Sequence, residues 1–230
     1  MINELKAIRL KFTKTLLTYV PLCITICFII LMNFYLGRDW NLDQVSQYVA
    51  AYNAITALLL SILVYQVITF EEAIGHFNHI LRKPKRYLWV NSSLIYIYSN
   101  YLLGLLLTTI NLLWMYTNFK IAIIYFFSSF IFNVIILILL FITGIFVNSV
   151  INIALGIFLT IFNIYFGIEV LGDNSWFYIP ITYSTRYTSM LISNTLPFVV
   201  TVIIYAISTI LLFSCLHFLF RNWEGRNVTD

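Results

Sequence analysis

The chain has 230 residues, of which 61% are hydrophobic and 10% are charged. A soluble globular domain carries about 25% charged residues and hides its apolar side chains in a core, so this composition excludes an ordinary soluble protein. The formal net charge of +4 does not indicate a nucleic-acid partner, because the basic residues lie beside apolar segments, where they orient membrane helices. The composition predicts an all-α integral membrane protein that forms one domain, residues 1–230.

The segment before the first apolar run has one apolar and one basic side. At about 100° per residue, Leu5, Ile8 and Phe12 share one side of a helix, and Lys6 and Lys11 lie on the other. This pattern predicts an interfacial helix with its apolar side in the headgroup region. A plain basic flank that only sets orientation is the alternative. The apolar run that follows is too long for a signal peptide and lacks a small-residue cleavage pattern, so we expect it to be retained.

Six apolar segments are long enough to cross a membrane, which takes about 20 mostly apolar residues. In lipid every backbone polar group must be paired internally, and these segments do not alternate in polarity, so we expect helices and not β-strands. The predicted spans are 17–36, 49–70, 90–116, 121–147, 153–171 and 196–220.

Basic residues near the ends of the spans predict the orientation. With the N-terminus in the cytoplasm, only Arg38, Lys120 and Arg186 of the 13 Lys and Arg residues fall outside. An even number of spans then places the C-terminus in the cytoplasm as well.

A short amphipathic stretch, 71–83, separates the second and third spans. Its apolar residues, including Ile74, Phe77 and Leu81, fall within about a third of a helical wheel. Glutamates at its start and basic residues at its end suit the helix dipole, and Pro84 stops the helix. We therefore predict a cytoplasmic helix that lies flat on the membrane, with an ordinary solvated loop as the alternative. Its polar and charged residues are Glu71, Glu72, His76, His79, Arg82 and Lys83.

The outer segment 172–195 is rich in aromatic and hydroxyl residues. It is too apolar for a free loop and too short to cross the membrane twice. We predict that it folds back and rests at the outer interface, where Trp and Tyr are enriched.

Few residues carry recognisable chemistry. The chain has no P-loop, no Gly-x-Ser-x-Gly elbow and no His-Glu-x-x-His helix, so we do not expect it to be an enzyme. Glu72, His76 and His79 share a helix face at a spacing that suits a metal, but a fourth ligand is not evident. A solvated or partner-binding face is the simpler interpretation, and no metal is assigned.

Three other function classes stay open at this point. The paired glutamates followed by His76 resemble the signature of CAAX-type intramembrane proteases, which have arginine at that position and need later histidines; His217 is the only candidate. An ion-coupled secondary transporter would keep ionisable groups near the midplane, where this chain has almost none. A non-transporting accessory subunit is the third alternative.

Four features in chain order resemble the ABC-2 type permeases. A basic amphipathic N-terminus leads into the first span, and Glu71 or Glu72 ends the second span before an amphipathic helix. Pro84-Lys85-Arg86 then precedes the third span, and a folded-back segment precedes the sixth. Within that family, the compact length is similar to the permeases of lantibiotic (bacteriocin) immunity and peptide-antibiotic resistance systems.

The resemblance implies the permease subunit of an ATP-driven exporter in the plasma membrane of a Gram-positive bacterium. The expected substrate is an amphipathic peptide such as a lantibiotic. ATP and Mg²⁺ would be bound by a separate ATPase subunit, and a second permease, identical or a sister, would complete a dimer.

The resemblance also implies roles for particular residues. The 71–83 helix would couple the permease to the ATPase, with charged and polar residues in the ATPase groove and Ile74, Phe77 and Leu81 anchored on the bundle. Candidates for the substrate path are Asn53, Tyr65, Asn163 and Tyr165.

Overall fold

The computed structural model describes residues 2–12, 15, 18–75, 77–168, 176–193 and 198–225. Within these ranges the regular secondary structure is helical. The α-helices are α1 (Ile2–Phe12), α2 (Val20–Leu36), α3 (Leu42–Gly75), α4 (Asn78–Leu81), α5 (Tyr87–Met115), α6 (Phe119–Phe132), α7 (Val134–Phe146), α8 (Ser149–Asn163), α9 (Arg186–Ser193) and α10 (Phe198–Arg221).

Among the described residues, five helical segments are long and apolar enough to cross a membrane. They are α3, α5, the α6–α7 pair, α8 with its continuation, and α10; α2, with 17 residues, is shorter. The chain is therefore an all-helical protein with several candidate membrane spans, as its composition predicted. The sixth span and the cytoplasmic position of both termini stay predictions.

Helix α3 is much longer than the predicted span 49–70. A reciprocal cap starts it, because the Gln44 N–H donates to Asn41 Oδ1 and the Asn41 N–H donates to Gln44 Oε1, both at 2.9 Å. The helix then continues past the apolar run to Gly75. Its 34 residues extend about 51 Å at 1.5 Å per residue, so one helix connects the two ends of the bundle.

The predicted span 121–147 carries an irregularity at Asn133, between α6 and α7. The helical hydrogen bonds continue through it, since the Asn133 N–H donates to Ser129 O at 3.3 Å and Leu137 N–H donates to Asn133 O at 3.2 Å. The Asn133 amide also donates to Asn53 Oδ1 at 3.1 Å and to the Tyr101 hydroxyl at 2.9 Å. This buried amide therefore holds the span against α3 and α5.

Helix α8 begins earlier than the predicted span 153–171. Asn148 caps it, with its Oδ1 accepting the Val150 N–H at 2.9 Å. After Asn163 the chain continues as a π-helical turn, Ile164–Ile168. The predicted last residues of this span, 169–171, lie outside the described residues.

Helices α3 and α8 pack at close range around Gly156. A Cβ on Gly156 would overlap the Ser61 side chain and stand 3.2 Å from the Ala57 carbonyl oxygen. One turn away, Asn152 Nδ2 donates to Ser61 O at 2.9 Å. The small residue at 156 is therefore what lets the two backbones approach.

The segment before α10 enters the bundle. It forms 3₁₀ helices at Trp176–Tyr178 and Pro180–Ser184 and then α9. Tyr183 and Tyr187 are buried, with ring centres 6.0 Å and 4.7 Å from that of Phe132, the last residue of α6. The segment thus reaches the middle of the α6–α7 span instead of resting at the outer surface as predicted, because its aromatic rings pack on Phe132 inside the bundle.

We expect Gly156→Ala to destabilise the protein by about 1–3 kcal/mol, because the added methyl overpacks the contact between α3 and α8. Thermal unfolding in mild detergent measures the effect. In a double-mutant cycle, Ser61→Gly should cost less in the Gly156→Ala background than in the wild type, since it removes the overlapping side chain.

Gly75→Ala is the matched control, because a Cβ there would meet no atom within 4 Å. Equal unfolding temperatures for Gly156→Ala and Gly75→Ala would contradict the close packing described above.

Candidate functional site

One end of the bundle gathers α1, the chain between α3 and α5, and the residues after α10; we call it the basic end. Lys83 Nζ donates to both carboxylate oxygens of Glu4 at 2.7 and 2.8 Å, which joins α1 to the residues after α4. Arg86 Nη1 donates to the Trp223 carbonyl at 2.9 Å, which joins the start of α5 to the residues after α10. Three distant parts of the sequence therefore meet here.

The Glu71 carboxylate lies at the centre of the basic end and is fully buried. Lys11 Nζ of α1 stands 2.9 and 3.2 Å from its two oxygens. His79 Nε2 approaches Oε2 at 3.4 Å, and the Trp89 indole N–H of α5 donates to Oε1 at 3.4 Å. We call Lys11, Glu71, His79 and Trp89 the Glu71 cluster. It ties α1, α3, α4 and α5 together around one charge.

The predicted single helix 71–83 is wrong in its continuity. Helix α3 runs through Glu71 to Gly75, and a one-turn helix, α4, follows the break. Phe77 adopts the left-handed conformation at φ 64° and ψ 4°, which is uncommon for a residue other than glycine. Its N–H donates to the Glu71 carbonyl at 3.4 Å. After this turn, α4 lies beside the end of α3, with His79 next to Glu71.

The left-handed conformation of Phe77 is offset by the burial of its ring. Phe77 is fully buried, and its ring centre lies 5.0 Å from that of Trp223 and 6.3 Å from that of Trp89. Trp89 in turn stacks on Phe220 of α10 at 5.7 Å and contacts Phe141 of α7 at 5.9 Å. This aromatic cluster connects the α3–α4 turn to α5, α7 and α10.

A cleft of about 530 Å³ opens beside the Glu71 cluster. It is bounded by α1 on one side and by the end of α3 and α4 on the other. None of its lining residues, all within the described part of the chain, is acidic. We call it the basic-end cleft, and its lining residues are Lys11, Ile74, Gly75, Asn78, His79 and Arg82.

Two predicted coupling residues, Glu71 and Ile74, have the opposite exposure to the one predicted. Glu71, expected to reach a partner's groove, is buried and paired within the chain. Ile74, expected to anchor the helix on the bundle, is 58% exposed at the cleft. The cation of α1 explains the burial of Glu71, because Lys11 Nζ lies 2.9 Å from its carboxylate. Ile74 lies one turn later, near the last residue of α3, and borders the cleft.

The remaining predicted coupling residues differ in position. Arg82 is exposed at the cleft, whereas Lys83 is partly buried and bound to Glu4. Leu81 and Glu72 are partly buried. His76 lies outside the described residues. The cleft therefore brings together Ile74, His79 and Arg82 of the predicted set.

The N-terminal helix exists, but its apolar side does not face lipid. Ile8 and Phe12 are buried against the bundle, and the Phe12 ring centre lies 4.9 Å from that of Phe70 in α3. Leu5 is partly buried and Lys6 is exposed. The interfacial prediction is therefore wrong for Ile8 and Phe12, because aromatic side chains of the bundle offer them a packed surface.

The four candidates for the substrate path lie in different environments. Asn53 and Asn163 are fully buried, and Asn53 accepts the Asn133 amide. Tyr65 is partly buried and Tyr165 is 52% exposed. None of the four belongs to the described lining of the basic-end cleft. Their assignment to a substrate path stays a prediction.

Among the described residues, the structure brings together neither a metal site nor a glutamate–histidine site of the CAAX-protease type. No group of three His, Cys, Asp or Glu side chains within the described ranges is placed to hold a metal. The His217 ring contacts Phe213 at 4.5 Å and lines a different cavity, whereas the described partners of Glu71 are those of its own cluster.

Sequence reasoning missed three residues of this site. Trp89 and Trp223 carry the aromatic cluster, and Glu4 holds Lys83. Glu4 had a readable signal, because it is the one acidic residue in a basic N-terminal segment. Nothing in the sequence pattern pointed to the tryptophans, whose partners are distant in the chain.

The environment of His79 favours its neutral form. Partial burial lowers the pKa of His79 below its ordinary value of 6.5, and Lys11 and Lys83 lower it further, although Glu71 opposes this shift. The unfolded chain therefore takes up this proton at a higher pH than the folded chain. The contribution of His79 to stability is present above about pH 6.5 and is lost as the pH falls below it.

When the pH is lowered from 6.5 to 5.5, we expect the unfolding temperature of His79→Gln to fall less than that of the wild type. The corresponding difference in the free energy of unfolding should be less than about 1 kcal/mol, because solvent screens a partly exposed imidazole. Asn78→Gln, a change in the same turn that does not titrate, should keep the wild-type pH dependence. Identical pH profiles for His79→Gln and the wild type would contradict this.

We expect Lys11→Met to destabilise the protein by up to about 3 kcal/mol, because it leaves the buried Glu71 carboxylate without its closest cation. Glu71→Gln in the Lys11→Met background should restore stability, since it removes the stranded charge. Chemical unfolding in detergent measures both effects. Lys6→Met, an exposed lysine on the same helix, is the control, and a loss as large as that of Lys11→Met would argue against the pairing.

Comparison of the chain with known protein families, with curated proteins and with solved structures yields no match.

Proposed function

We propose that this chain is the membrane subunit of an ATP-driven exporter and that the basic-end cleft receives a separate ATPase subunit. The proposed complex contains two permease subunits, identical or sisters, and ATP and Mg²⁺ bind to the ATPase. The proposed substrate is an amphipathic peptide such as a lantibiotic, expelled across the plasma membrane of a Gram-positive bacterium. The observation that carries the proposal is the cleft itself, which exposes Arg82 and Ile74 and is lined in part by α3, a helix that extends to the opposite end of the bundle.

The chemistry of the cleft suits a protein partner. Arg82 and Ile74 are exposed at its rim, and Lys11 lies inside it with about a third of its side chain exposed. A partner that presents acidic side chains around an apolar contact would complement this surface, with the charges guiding the encounter. Such a surface on a membrane protein's basic end favours a cytosolic partner.

The connections of the cleft suit a mechanical role. Helix α3 carries Gly75 and Ile74 of the cleft and continues unbroken to Leu42 at the opposite end. The aromatic cluster joins the same α3–α4 turn to α5, α7 and α10. A displacement of α4 is therefore transmitted to several helices at once, because packed interiors deform little. ATP biases the bundle only as far as the partner docks differently in its two states.

Among the described residues, one small cavity in the bundle interior could not hold a peptide. A cavity among Pro21, Tyr52 and Gly104 has a volume of about 10 Å³, roughly the room for one water molecule. We therefore propose that the substrate passes between two permease subunits or along their lipid-facing surfaces.

An ion-coupled transporter is the second candidate, and Glu71 is the observation that favours it. Among the described residues, Glu71 is the one fully buried carboxylate. Buried carboxylates in membrane proteins often serve proton coupling. Its place at the end of α3, paired with a lysine, suits a structural role better. A purified chain that moves substrate without an ATPase would favour this second candidate.

The test uses the exposed rim of the cleft, so that folding is preserved. We expect Ile74→Asp combined with Arg82→Glu to reduce co-purification of the proposed ATPase subunit by about tenfold or more, because like charges then face each other. Peptide-stimulated ATP hydrolysis in reconstituted vesicles should fall with it. Arg38→Glu, at the opposite end, is the control. Wild-type coupling in the double variant would overturn the proposal.

A further inference from the structure

A second cavity at the basic end lies between the start of α5 and the end of α10. Its volume is about 420 Å³, and it does not share a lining residue with the basic-end cleft. Arg86 and Tyr87 line it from one side, and His217 and Arg221 line it from the other. Its described lining contains two guanidinium groups and no carboxylate.

The two arginines differ in how they are held. The Arg86 guanidinium is fixed by its hydrogen bond to the Trp223 carbonyl, at 2.9 Å, and a guanidinium has five N–H donors in all. Arg221 is exposed at the end of α10. Guanidinium groups bind phosphate in a bidentate manner, and this cavity presents one fixed and one exposed guanidinium.

An apolar groove lies farther along α5 and α10, nearer the middle of the bundle. It has a volume of about 320 Å³ and is lined by α5, α6, α7 and α10, including Ile95, Leu102, Ile138 and Phe213. The Phe213 ring lies 4.5 Å from the His217 ring, so the side chains of groove and cavity are in contact. The groove follows α5 for about 12 Å, from Leu94 to Leu102.

From this alignment we infer a binding site for one anionic glycerophospholipid. Its phosphate lies between Arg86 and Arg221, and one acyl chain lies in the groove. The polar part is at the end of the helices and the apolar part is nearer their middle, which is the order of groups in a bilayer leaflet. Basic pockets between membrane helices bind anionic headgroups for the same electrostatic reason. The inference does not depend on the proposed ATPase.

The bound lipid would fill the space between α5 and α10 and contact both helices. Much of α10 is exposed, whereas its inner residues Leu216 and Phe220 are buried. A lipid that touches both helices adds contacts where α10 has few. Binding to the folded state alone also raises stability with lipid concentration.

The experiment titrates the delipidated full-length protein in mild detergent with dioleoyl phosphatidylglycerol. Native mass spectrometry counts bound lipids, and thermal unfolding measures the stabilisation. We expect one phosphatidylglycerol per chain to bind with higher affinity than dioleoyl phosphatidylcholine. Arg221→Gln should weaken the phosphatidylglycerol affinity about fivefold, whereas Arg38→Gln, at the opposite end, should not change it.

A second pair of variants tests the acyl-chain groove. Ile95→Trp fills the groove from α5 and should weaken phosphatidylglycerol binding, whereas Leu103→Trp, on the same helix outside the groove lining, should not. The two residues are matched in exposure, at 43% and 49%.

Three outcomes would overturn the inference. Equal affinity for phosphatidylcholine would remove the role of the arginines. Equal effects of Ile95→Trp and Leu103→Trp would remove the role of the groove. Displacement of phosphatidylglycerol by millimolar inorganic phosphate alone would show a phosphate site without a lipid chain.

Discussion

The buried carboxylate of Glu71 is the constraint on which the basic end depends. Taking an ion out of water costs several kcal/mol unless cations and hydrogen-bond donors replace the water. Here the replacements come from Lys11 of α1, His79 of α4 and Trp89 of α5. Because partners from three helices contact this one charge, α1 packs against the bundle, and the chain turns back after α3 so that α4 also reaches the carboxylate. The turn leaves the basic-end cleft open beside the carboxylate and buries Phe77 among tryptophans.

The helices of the bundle could be predicted from the sequence because apolar runs of membrane length have few other solutions in lipid. Their ends were predicted less well. Asn41 and Asn148 cap α3 and α8 outside the apolar runs, so the helices begin before the hydropathy rises. The Asn41–Gln44 pair was a readable capping signal. The left-handed turn at Phe77 was not readable, because a bulky residue gives no local preference for that conformation.

The candidate site was predicted as a region but not in its inner arrangement. A helical wheel sorts residues by polarity and assumes that the polar side faces water. Glu71 breaks that assumption through an ion pair with Lys11, a residue 60 positions away. The same error affected Ile8 and Phe12, whose apolar side was assigned to lipid and packs on the bundle instead. Only contacts between distant elements distinguish these environments, and a single sequence does not contain them.

The distance in sequence between Lys11 and Glu71 has a consequence for how the protein is made. Translation at about 5–20 residues per second delivers the end of α3 roughly 3–12 s after α1. During that interval the nascent α1 has no surface on which to bury Ile8 and Phe12, and the headgroup layer is the environment that accepts an amphipathic helix. We therefore expect α1 to stay at the membrane surface until both Glu71 and α5 have been made, because the Phe12 ring also stacks on Tyr96 of α5 at 5.3 Å.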